Sequence, residues 1–288
     1  MDAESSDYAR QARAALAGVP AEPGAPKPDP ILRATGVRRR FGGIVAVDVD
    51  HVEVQRGSIT ALIGPNGAGK TTLFNLLTGF DQANEGNWTF DGLPLDKVVA
   101  HKTAKMGMVR TFQLTKSLSK MSVLENMKLG ATGQRGERWW KGLIRPLWRQ
   151  QEMGIEARAD ELLRRFKLDH MRNEYAGTLS GGQRKLLEMA RALMTRPRLV
   201  MLDEPMAGVN PALKQSLLGH IRELRDEGMT LLFVEHDMDM VHDVSDWVIV
   251  MAEGRIIAEG TPDQISRNQA VIDAYLGTHQ GKTLMEES

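Results

Sequence analysis

The residues whose types and spacing could do chemistry are clearest between Gly64 and Thr71, which have the sequence Gly-Pro-Asn-Gly-Ala-Gly-Lys-Thr. An apolar run, 59–63, precedes them, and a run of helical character, 72–78, follows, so the segment has the strand–loop–helix setting that the pattern G-x-x-x-x-G-K-[ST] requires. Glycines let the backbone curl until successive N–H groups face an anion, and the start of the following helix adds further N–H groups and a partial positive charge. We therefore predict a phosphate-binding loop.

Two side chains at the end of this loop suit a nucleoside triphosphate and its metal ion. Lys70 can reach the β- and γ-phosphates as a mobile point charge, and the hydroxyl of Thr71 can bind Mg²⁺. The structural alternative is a glycine-rich turn before a helix, but the flanking elements favour nucleotide binding. The residues expected to bind the nucleotide in this segment are Gly64, Pro65, Asn66, Gly67, Ala68, Gly69, Lys70, Thr71 and Thr72.

A second chemical signal is the pair of carboxylates that ends an apolar run at 199–202, Asp203 and Glu204. In open α/β sheets ligands bind beyond the carboxyl ends of the strands, so both acids are expected to face the phosphate loop. Asp203 could hold Mg²⁺ directly or through water, and Glu204 could polarise the water that attacks a γ-phosphate. The structural alternative is an acidic turn or helix cap.

A third segment, Leu-Ser-Gly-Gly-Gln at 179–183, precedes a run with helical periodicity. Ser180 and Gln183 fit a capping box, which is a structural role. Two glycines before a helix also leave N–H groups for a second anion site. From the residues alone both interpretations stand.

The elements that must position these residues alternate between strands and helices in the last third of the chain. Strands are predicted at 198–202, 230–234, 247–251 and 255–258, and helices at 211–227 and 237–245. This alternation favours a parallel sheet wrapped by crossover helices. Strands at 32–37 and 45–54 predict a small antiparallel sheet in the opening third, and residues 97–175 are mostly helical. We therefore predict an α/β fold.

Composition narrows the class of protein. The 288 residues carry 37 Lys+Arg and 37 Asp+Glu, so net charge is zero, which argues against a partner held by nucleic-acid phosphates. With no cysteine, zinc–thiolate sites and cysteine nucleophiles are excluded. No run approaches the roughly 18 apolar residues of a membrane span, and acidic residues stand where a secretory signal needs positive charge. We expect a cytoplasmic protein.

Residues 1–30 combine an Ala-rich stretch with five prolines. Such a segment buries too little apolar area to offset its ordering entropy. We expect a mobile tail without function, with at most one short helix near 8–16.

The stretch 134–151 holds Trp139, Trp140 and Trp148 among five basic residues. One interpretation is a partly covered surface helix or hairpin of a helical subdomain. The other is an amphipathic platform that contacts a partner or lipid headgroups.

The order of these motifs, together with Gln113 in Thr-Phe-Gln and His236 after a strand, resembles the ATP-binding subunit of ABC transporters over roughly 31–278. The five residues Leu-Ser-Gly-Gly-Gln are nearly diagnostic of that family. The resemblance implies a P-loop NTPase core with a mixed sheet, an antiparallel β subdomain and an inserted helical subdomain at about 114–190. A tail would follow at 279–288.

The resemblance also implies roles for individual residues. Phe41 would stack on adenine. Gln113 would touch Mg²⁺, with Thr71 and Asp203, where the core meets the helical subdomain. His236 would contact the γ-phosphate and join Glu204, Gln113 and Lys70 in catalysis. The residues that would bind the ATP held by a second subunit are Ser180, Gly181, Gly182 and Gln183.

Within that family the chain is similar to the larger ATPase of branched-chain amino-acid uptake systems, through the segments 40–43, 109–113, 235–238 and 274–277. The resemblance implies an ATPase at the cytoplasmic face of the membrane that powers amino-acid uptake. Its partners would be membrane permeases, a second ATPase subunit that is a copy or a homologue, and a solute-binding protein. One departure from most ABC ATPases is Asn210, which cannot supply the charge that they have in this loop, although the amino-acid uptake group resembles this chain there.

Other functions stay open from the sequence. An ATPase for urea or short amides, or for lipid export, would look similar. A non-transport ABC ATPase is a different class, but repair forms need a long coiled-coil insertion and translation factors carry two ATPase domains. A binding module that no longer hydrolyses ATP is disfavoured by Glu204.

Overall fold

The computed structural model describes residues 3–95, 99–111, 118–131 and 145–275. The chain divides into two compact units. The first comprises residues 1–103, 199–205 and 221–288, and the second comprises residues 104–198 and 206–220.

The elements are numbered here along the chain. Helices are α1 (Ala3–Leu16), α2 (Lys70–Thr78), α3 (Ala100–Lys105), α4 (Val123–Leu129), α5 (Arg145–Arg165), α6 (Gly181–Leu193), α7 (Pro211–Asp226), α8 (Met238–Val244) and α9 (Pro262–Ser266). Strands are β1 (Pro30–Phe41), β2 (Ile44–Gln55), β3 (Ile59–Ile63), β4 (Glu85–Phe90), β5 (Leu93–Pro94), β6 (Met108–Arg110), β7 (Leu199–Asp203), β8 (Thr230–Val234), β9 (Trp247–Ala252) and β10 (Arg255–Gly260).

The core of the first unit is a mainly parallel sheet in the order β10-β9-β3-β8-β7. Strands β9, β3, β8 and β7 run parallel, and β10 pairs antiparallel with β9. Every residue of β3 and β8 is buried, as expected of apolar strands covered on both faces. The predicted α/β class and the alternation in the last third are confirmed.

The first unit also contains the antiparallel sheet β2-β1-β4-β5. The predicted strands 32–37 and 45–54 are present but longer, because pairing continues to Phe41 opposite Ile44 and leaves only a two-residue turn. The arginines at 38–40, which lie between the two predicted strands, are therefore part of β1. A register shift near this end leaves Ala46 without a partner opposite it, which marks a β-bulge.

The N-terminal segment is not the mobile tail that its composition predicts. The expected helix is present as α1, and Ala9 and Leu16 on it are buried, as are Val19 and Ala25 beyond it. Small residues explain the packing: a Cβ built on Gly57 would lie 3.4 Å from the Cα of Ala9. The two backbones therefore approach closely enough for alanines to bury their surface.

A buried ion pair fixes the end of this segment. The Lys27 ammonium donates to Glu259 at 2.8 Å and to the Ala25 carbonyl at 2.6 Å, and it lies 4.7 Å from the centre of the Trp247 ring. The indole N–H of Trp247 donates to the same carboxylate at 3.0 Å. Buried charges are tolerated when they are paired and hydrogen-bonded in this way. The composition of residues 1–30 could not reveal a partner 232 positions away.

The second unit is mostly helical. This agrees with the helical character predicted for residues 97–175. Leu162 and Leu163 in α5, and Phe166 just after it, recur at helical spacing, and all three are fully buried in the core of this unit. Helix α4 begins at a capping box in which Ser122 accepts the Glu125 N–H and the Glu125 carboxylate accepts the Ser122 N–H.

The tryptophan-rich stretch is only partly covered by the structure. Trp139 and Trp140 lie outside the described residues, and Trp148 lies in α5. Among the described ranges, none of the helices combines the length and apolar character needed to cross a membrane.

Candidate nucleotide-binding site

The loop between β3 and α2 has a backbone that only glycine adopts readily. Gly64, Gly67 and Gly69 have φ values of 147°, 81° and 97°. A Cβ at Gly64 would lie 2.0 Å from the carbonyl oxygen of Met251, and one at Gly69 would lie 2.4 Å from that of Ala46. Backbone contacts within the first unit therefore fix the path of the loop, which is the compact curl expected of an anion cradle.

Lys70 crosses this loop with its side chain. Its ammonium donates to the carbonyl oxygens of Gly64 at 2.7 Å and Pro65 at 2.9 Å. Burial lowers the pKa of Lys70, and the negative charge of Glu204 partly offsets that shift. The loop thus holds a half-buried cation that is close enough to Glu204 to be influenced by its charge.

Helix α2 presents an uncapped N-terminus at the same place. Gly69 is the N-cap, no side chain caps the helix, and its first turn contains no acidic residue. Thr71 is exposed in that turn. Free N–H groups and the positive end of the helix dipole favour an anion here.

The strand order brings the predicted acidic residues to the same edge. β3 pairs with β8 and β8 pairs with β7, in parallel, and Asp203 lies opposite Val234. The carboxyl ends of the three strands therefore lead to the phosphate loop, to Glu204 and to His236 side by side.

Glu204 has an unusual backbone. Its φ is 44°, in the left-handed region that non-glycine residues rarely occupy, while its N–H donates to the Val234 carbonyl at 3.0 Å. Such a conformation costs about 1–3 kcal/mol and occurs preferentially at functional sites. The strained turn leaves Glu204 exposed beyond the strand, whereas Asp203 is half-buried.

His236 is also exposed at this edge, with 69% of its side chain accessible. Its backbone N–H donates to the carboxylate of Glu235 at 3.1 Å, and the Glu235 side chain is buried. Asp237 then caps α8 by accepting the Met240 N–H at 3.0 Å. Hydrogen bonds fix the chain on both sides of His236, at Glu235 and at Asp237. The backbone position of the histidine is therefore defined, while its imidazole stays accessible to a ligand.

Phe41 ends β1 in the first unit and has 49% of its surface exposed. Sequence reasoning singled out this ring but missed Arg39, whose guanidinium carbon lies 4.5 Å from the ring centre. The signal was available, because residues two apart in a strand share a face.

The segment 179–183 lies in the second unit. Ser180 accepts the Gln183 N–H at 3.3 Å and the Gln183 side chain accepts the Ser180 N–H at 2.9 Å, so the predicted capping box is present. Ser180 and Gly181 are exposed, and Gly182 is buried beneath them against Leu213.

Two further predicted positions have different outcomes. Gln113 lies outside the described residues. The Asn210 side chain accepts the Leu213 N–H at 3.0 Å and caps the start of α7. The loop residue that departs from the usual charge pattern therefore has a structural role.

Comparison with known proteins accords with this geometry. The family model described as ABC transporter matches residues 47–207, and one described as branched-chain amino acid ATP-binding cassette transporter matches residues 255–280. The chain belongs to the ABC transporter family. This confirms the fold expected from the motifs, the predicted class of enzyme, an ATPase coupled to transport, and the binding of nucleotide.

Two relatives of this cassette illustrate the similarity. The high-affinity branched-chain amino acid transport ATP-binding protein BraF of Pseudomonas aeruginosa is 42% identical over 250 residues, 86% of this chain and 98% of that protein. The corresponding LivG protein of Escherichia coli is 40% identical over 250 residues, with the same shares covered.

Solved structures agree with these relatives. A nucleotide-free ATP-binding cassette from an ABC transporter superposes with a TM-score of 0.76 at 36% identity, covering 85% of this chain and 98% of that one. A cassette in its ADP conformation gives 0.75 at 36% identity, covering 86% and 99%.

Proposed function

We propose that this cassette binds and hydrolyses ATP to power an importer of branched-chain or other small amino acids. It would act at the cytoplasmic face of the membrane with permease subunits, a solute-binding protein and a second ATPase subunit. The observation that carries the chemistry is the meeting of Lys70, Glu204 and His236 at neighbouring strand ends. The solute is inferred from the printed names of the relatives.

The phosphate loop performs the binding step. The Lys70 ammonium, now on the Gly64 and Pro65 carbonyls, would transfer to the β- and γ-phosphate oxygens of ATP. The N–H groups at the start of α2 would donate hydrogen bonds to the remaining phosphate oxygens. Because burial already lowers the pKa of Lys70, pairing with a phosphate compensates for the desolvation of its charge.

The hydrolytic step falls to side chains beyond β7 and β8. The exposed carboxylate of Glu204 would orient and deprotonate the attacking water, and His236 would donate a hydrogen bond to the γ-phosphate as charge shifts toward the leaving group. The left-handed turn at Glu204 would help to hold the carboxylate in place before the reaction, which reduces the reorganisation that the reaction requires.

A magnesium ion fits the donor set. A hydroxyl and a carboxylate are oxygen ligands of the kind that Mg²⁺ prefers, and Thr71 and Asp203 offer them, with Gln113 as the third expected ligand. Mg²⁺ would supply neutralisation of the phosphate charge.

Coupling to the membrane would use the second unit. A groove of about 350 Å³ is bounded by apolar Val109, Leu118 and Leu129 and by charged Glu188 and Arg191. Burial lowers the pKa of Arg191, and Glu188 partly offsets that shift, so charged and apolar side chains both line the groove. We assign it to a permease segment, since Gln113 follows two residues after Thr111, which also lines the groove.

The solute is tested by uptake in cells that lack this gene. These cells should take up less radiolabelled leucine, isoleucine and valine. The wild-type gene should restore uptake, and a gene for the Lys70→Ala variant should not. Unchanged leucine uptake with lost urea uptake would instead place the cassette in a short-amide importer.

A further inference from the structure

The ring of Phe41 stands beside a cation that the reaction does not use. Arg39 and Phe41 are two residues apart on β1 and share one face, and the guanidinium carbon of Arg39 lies 4.5 Å from the ring centre. A guanidinium at this distance is attracted by the negative face of an aromatic ring. The contact restricts the ring while half of its surface stays exposed.

The guanidinium is itself held from its other side. Arg39 Nη2 lies 2.9 Å from Asp81 Oδ1, and Nε lies 3.0 Å from Oδ2, so both carboxylate oxygens are engaged. Arg39 and Asp81 are about three-quarters buried. Such a two-point fork fixes the plane of the guanidinium, which a single ammonium would not do.

Asp81 belongs to the segment that follows the phosphate-binding helix. Its N–H donates to the Asn75 carbonyl of α2 at 3.2 Å. A continuous set of contacts therefore runs from α2 through Asp81 and Arg39 to the ring of Phe41.

Backbone contacts hold the same hairpin end against the phosphate loop. Asn84 Oδ1 accepts the Arg40 N–H at 2.7 Å, and the Asn84 N–H donates to the Arg38 carbonyl at 2.8 Å. On the facing strand the carbonyl of bulged Ala46 is so close to Gly69 that a Cβ there would be 2.4 Å away. The hairpin end and the phosphate loop thus have a fixed separation.

We propose that Arg39, held by Asp81, is a positioning residue that orients Phe41 for stacking against the base of the bound nucleotide. The inference rests on the proposed nucleotide function, because it assumes that Phe41 contacts adenine. A ring oriented before binding loses less conformational freedom when the base arrives. Arg39 therefore raises affinity for the base-containing ligand without touching the phosphates.

The test compares ATP with inorganic tripolyphosphate, which has the phosphate charge but no base. Binding of each is measured by titration calorimetry for wild type, Arg39→Met, Phe41→Ala and the double variant. Arg40→Met is the matched control, since Arg40 is the adjacent exposed arginine and its contact to Asn84 is made by the backbone.

Arg39→Met should weaken ATP binding about three- to tenfold, leave tripolyphosphate binding unchanged, and add nothing in the Phe41→Ala background. Arg39→Lys keeps the charge but loses the two-point contact with Asp81. Its affinity for ATP should therefore lie between those of wild type and Arg39→Met. Arg40→Met should bind both ligands as wild type does.

Three results would overturn the inference: equal weakening of both ligands, full additivity with Phe41→Ala, or unchanged or tighter ATP binding in Arg39→Met. Different results would contradict the proposed function. If Phe41→Ala binds ATP normally, the adenine assignment is wrong, and if Lys70→Ala does so, the phosphate site is wrong.

Discussion

Two segments of this chain place glycines before a helix N-terminus, and they differ in what completes them. The phosphate loop is enclosed by its own unit: Met251 and Ala46 press on its glycines and Lys70 bonds across it. In the segment at 180–183, Ser180 and Gly181 are exposed, and Ser180 and Gln183 accept each other's backbone N–H groups. Two glycines of the first segment are therefore packed against other strands and loops, whereas Gly181 of the second is open at the surface.

We assign catalysis to the edge of the sheet that holds the phosphate loop, and assembly with a second subunit to the segment at 180–183. A change at the phosphate-loop edge should alter the chain's own chemistry or folding. A change at 180–183 should lower stability only modestly and should have its main effect on ATP turnover when a second nucleotide-bearing subunit is present.

The largest effect is expected at Glu204. Glu204→Gln keeps the shape of the side chain but removes the base, so hydrolysis should slow by about 10²–10⁴, equivalent to about 3–5 kcal/mol of barrier. ATP affinity should stay near that of wild type. Steady-state turnover with the membrane partners present measures the effect, and full turnover would remove Glu204 from the mechanism.

Alanine substitutions of glycines in the two segments should differ in their effect on stability, because the glycines have different neighbours. Gly64→Ala collides with the Met251 carbonyl and should lower the free energy of unfolding by more than about 3 kcal/mol. In Gly181→Ala the new Cβ would lie 3.4 Å from the carbonyl oxygen of Gly208, which is an ordinary contact. The free energy of unfolding should therefore change by less than about 0.5 kcal/mol. Urea denaturation measures both. Equal losses would mean that the two segments are equally constrained.

Two capping boxes in the second unit provide a matched pair. Ser180→Ala and Ser122→Ala should each lower the free energy of unfolding by about 1 kcal/mol, because each removes an N-cap. Only Ser180→Ala should also lower ATP turnover in the assembled transporter, by about tenfold if one charge-assisted hydrogen bond is lost. A similar loss of turnover in both would assign Ser180 to stability alone.

The smallest effect is expected at Asn210. Asp is an N-cap of similar quality, so Asn210→Asp should change the free energy of unfolding by less than about 0.5 kcal/mol and leave ATP turnover unchanged. Calorimetric melting with parallel ATPase assays measures this. A marked change in turnover would show that the charge of this loop matters despite its role at α7.

The sequence could predict the parts of the molecule that are locally encoded. Gly64 to Thr71 follows a five-residue apolar strand and starts a helix, so local periodicity was enough. The alternation of strands and helices predicted the parallel sheet and the place of Glu204 beyond a strand end, whereas the strand order itself is known only from the structure. Ser180 and Gln183 form the capping box that their spacing predicted.

Long-range pairing could not be predicted in this way. In residues 1–30, Ala9 packs against Gly57 and Lys27 pairs with Glu259. The composition of this segment cannot indicate such contacts, because the partners are distant in the sequence. Likewise the strand ending in Phe41 extends because a facing strand pairs with it, while three consecutive arginines suggested a loop.

We propose that Ser180 and its glycines contact a nucleotide held by another subunit. Since the chain has no cysteine, Ser180→Cys introduces a single thiol, and Glu161→Cys, at an exposed position of α5, is its control. Both are made in the Glu204→Gln background and assembled with the membrane partners. Maleimide labelling, with and without Mg·ATP, should show protection of position 180 but not of position 161. Equal labelling of position 180 in both conditions, with ATP demonstrably bound, would contradict the account.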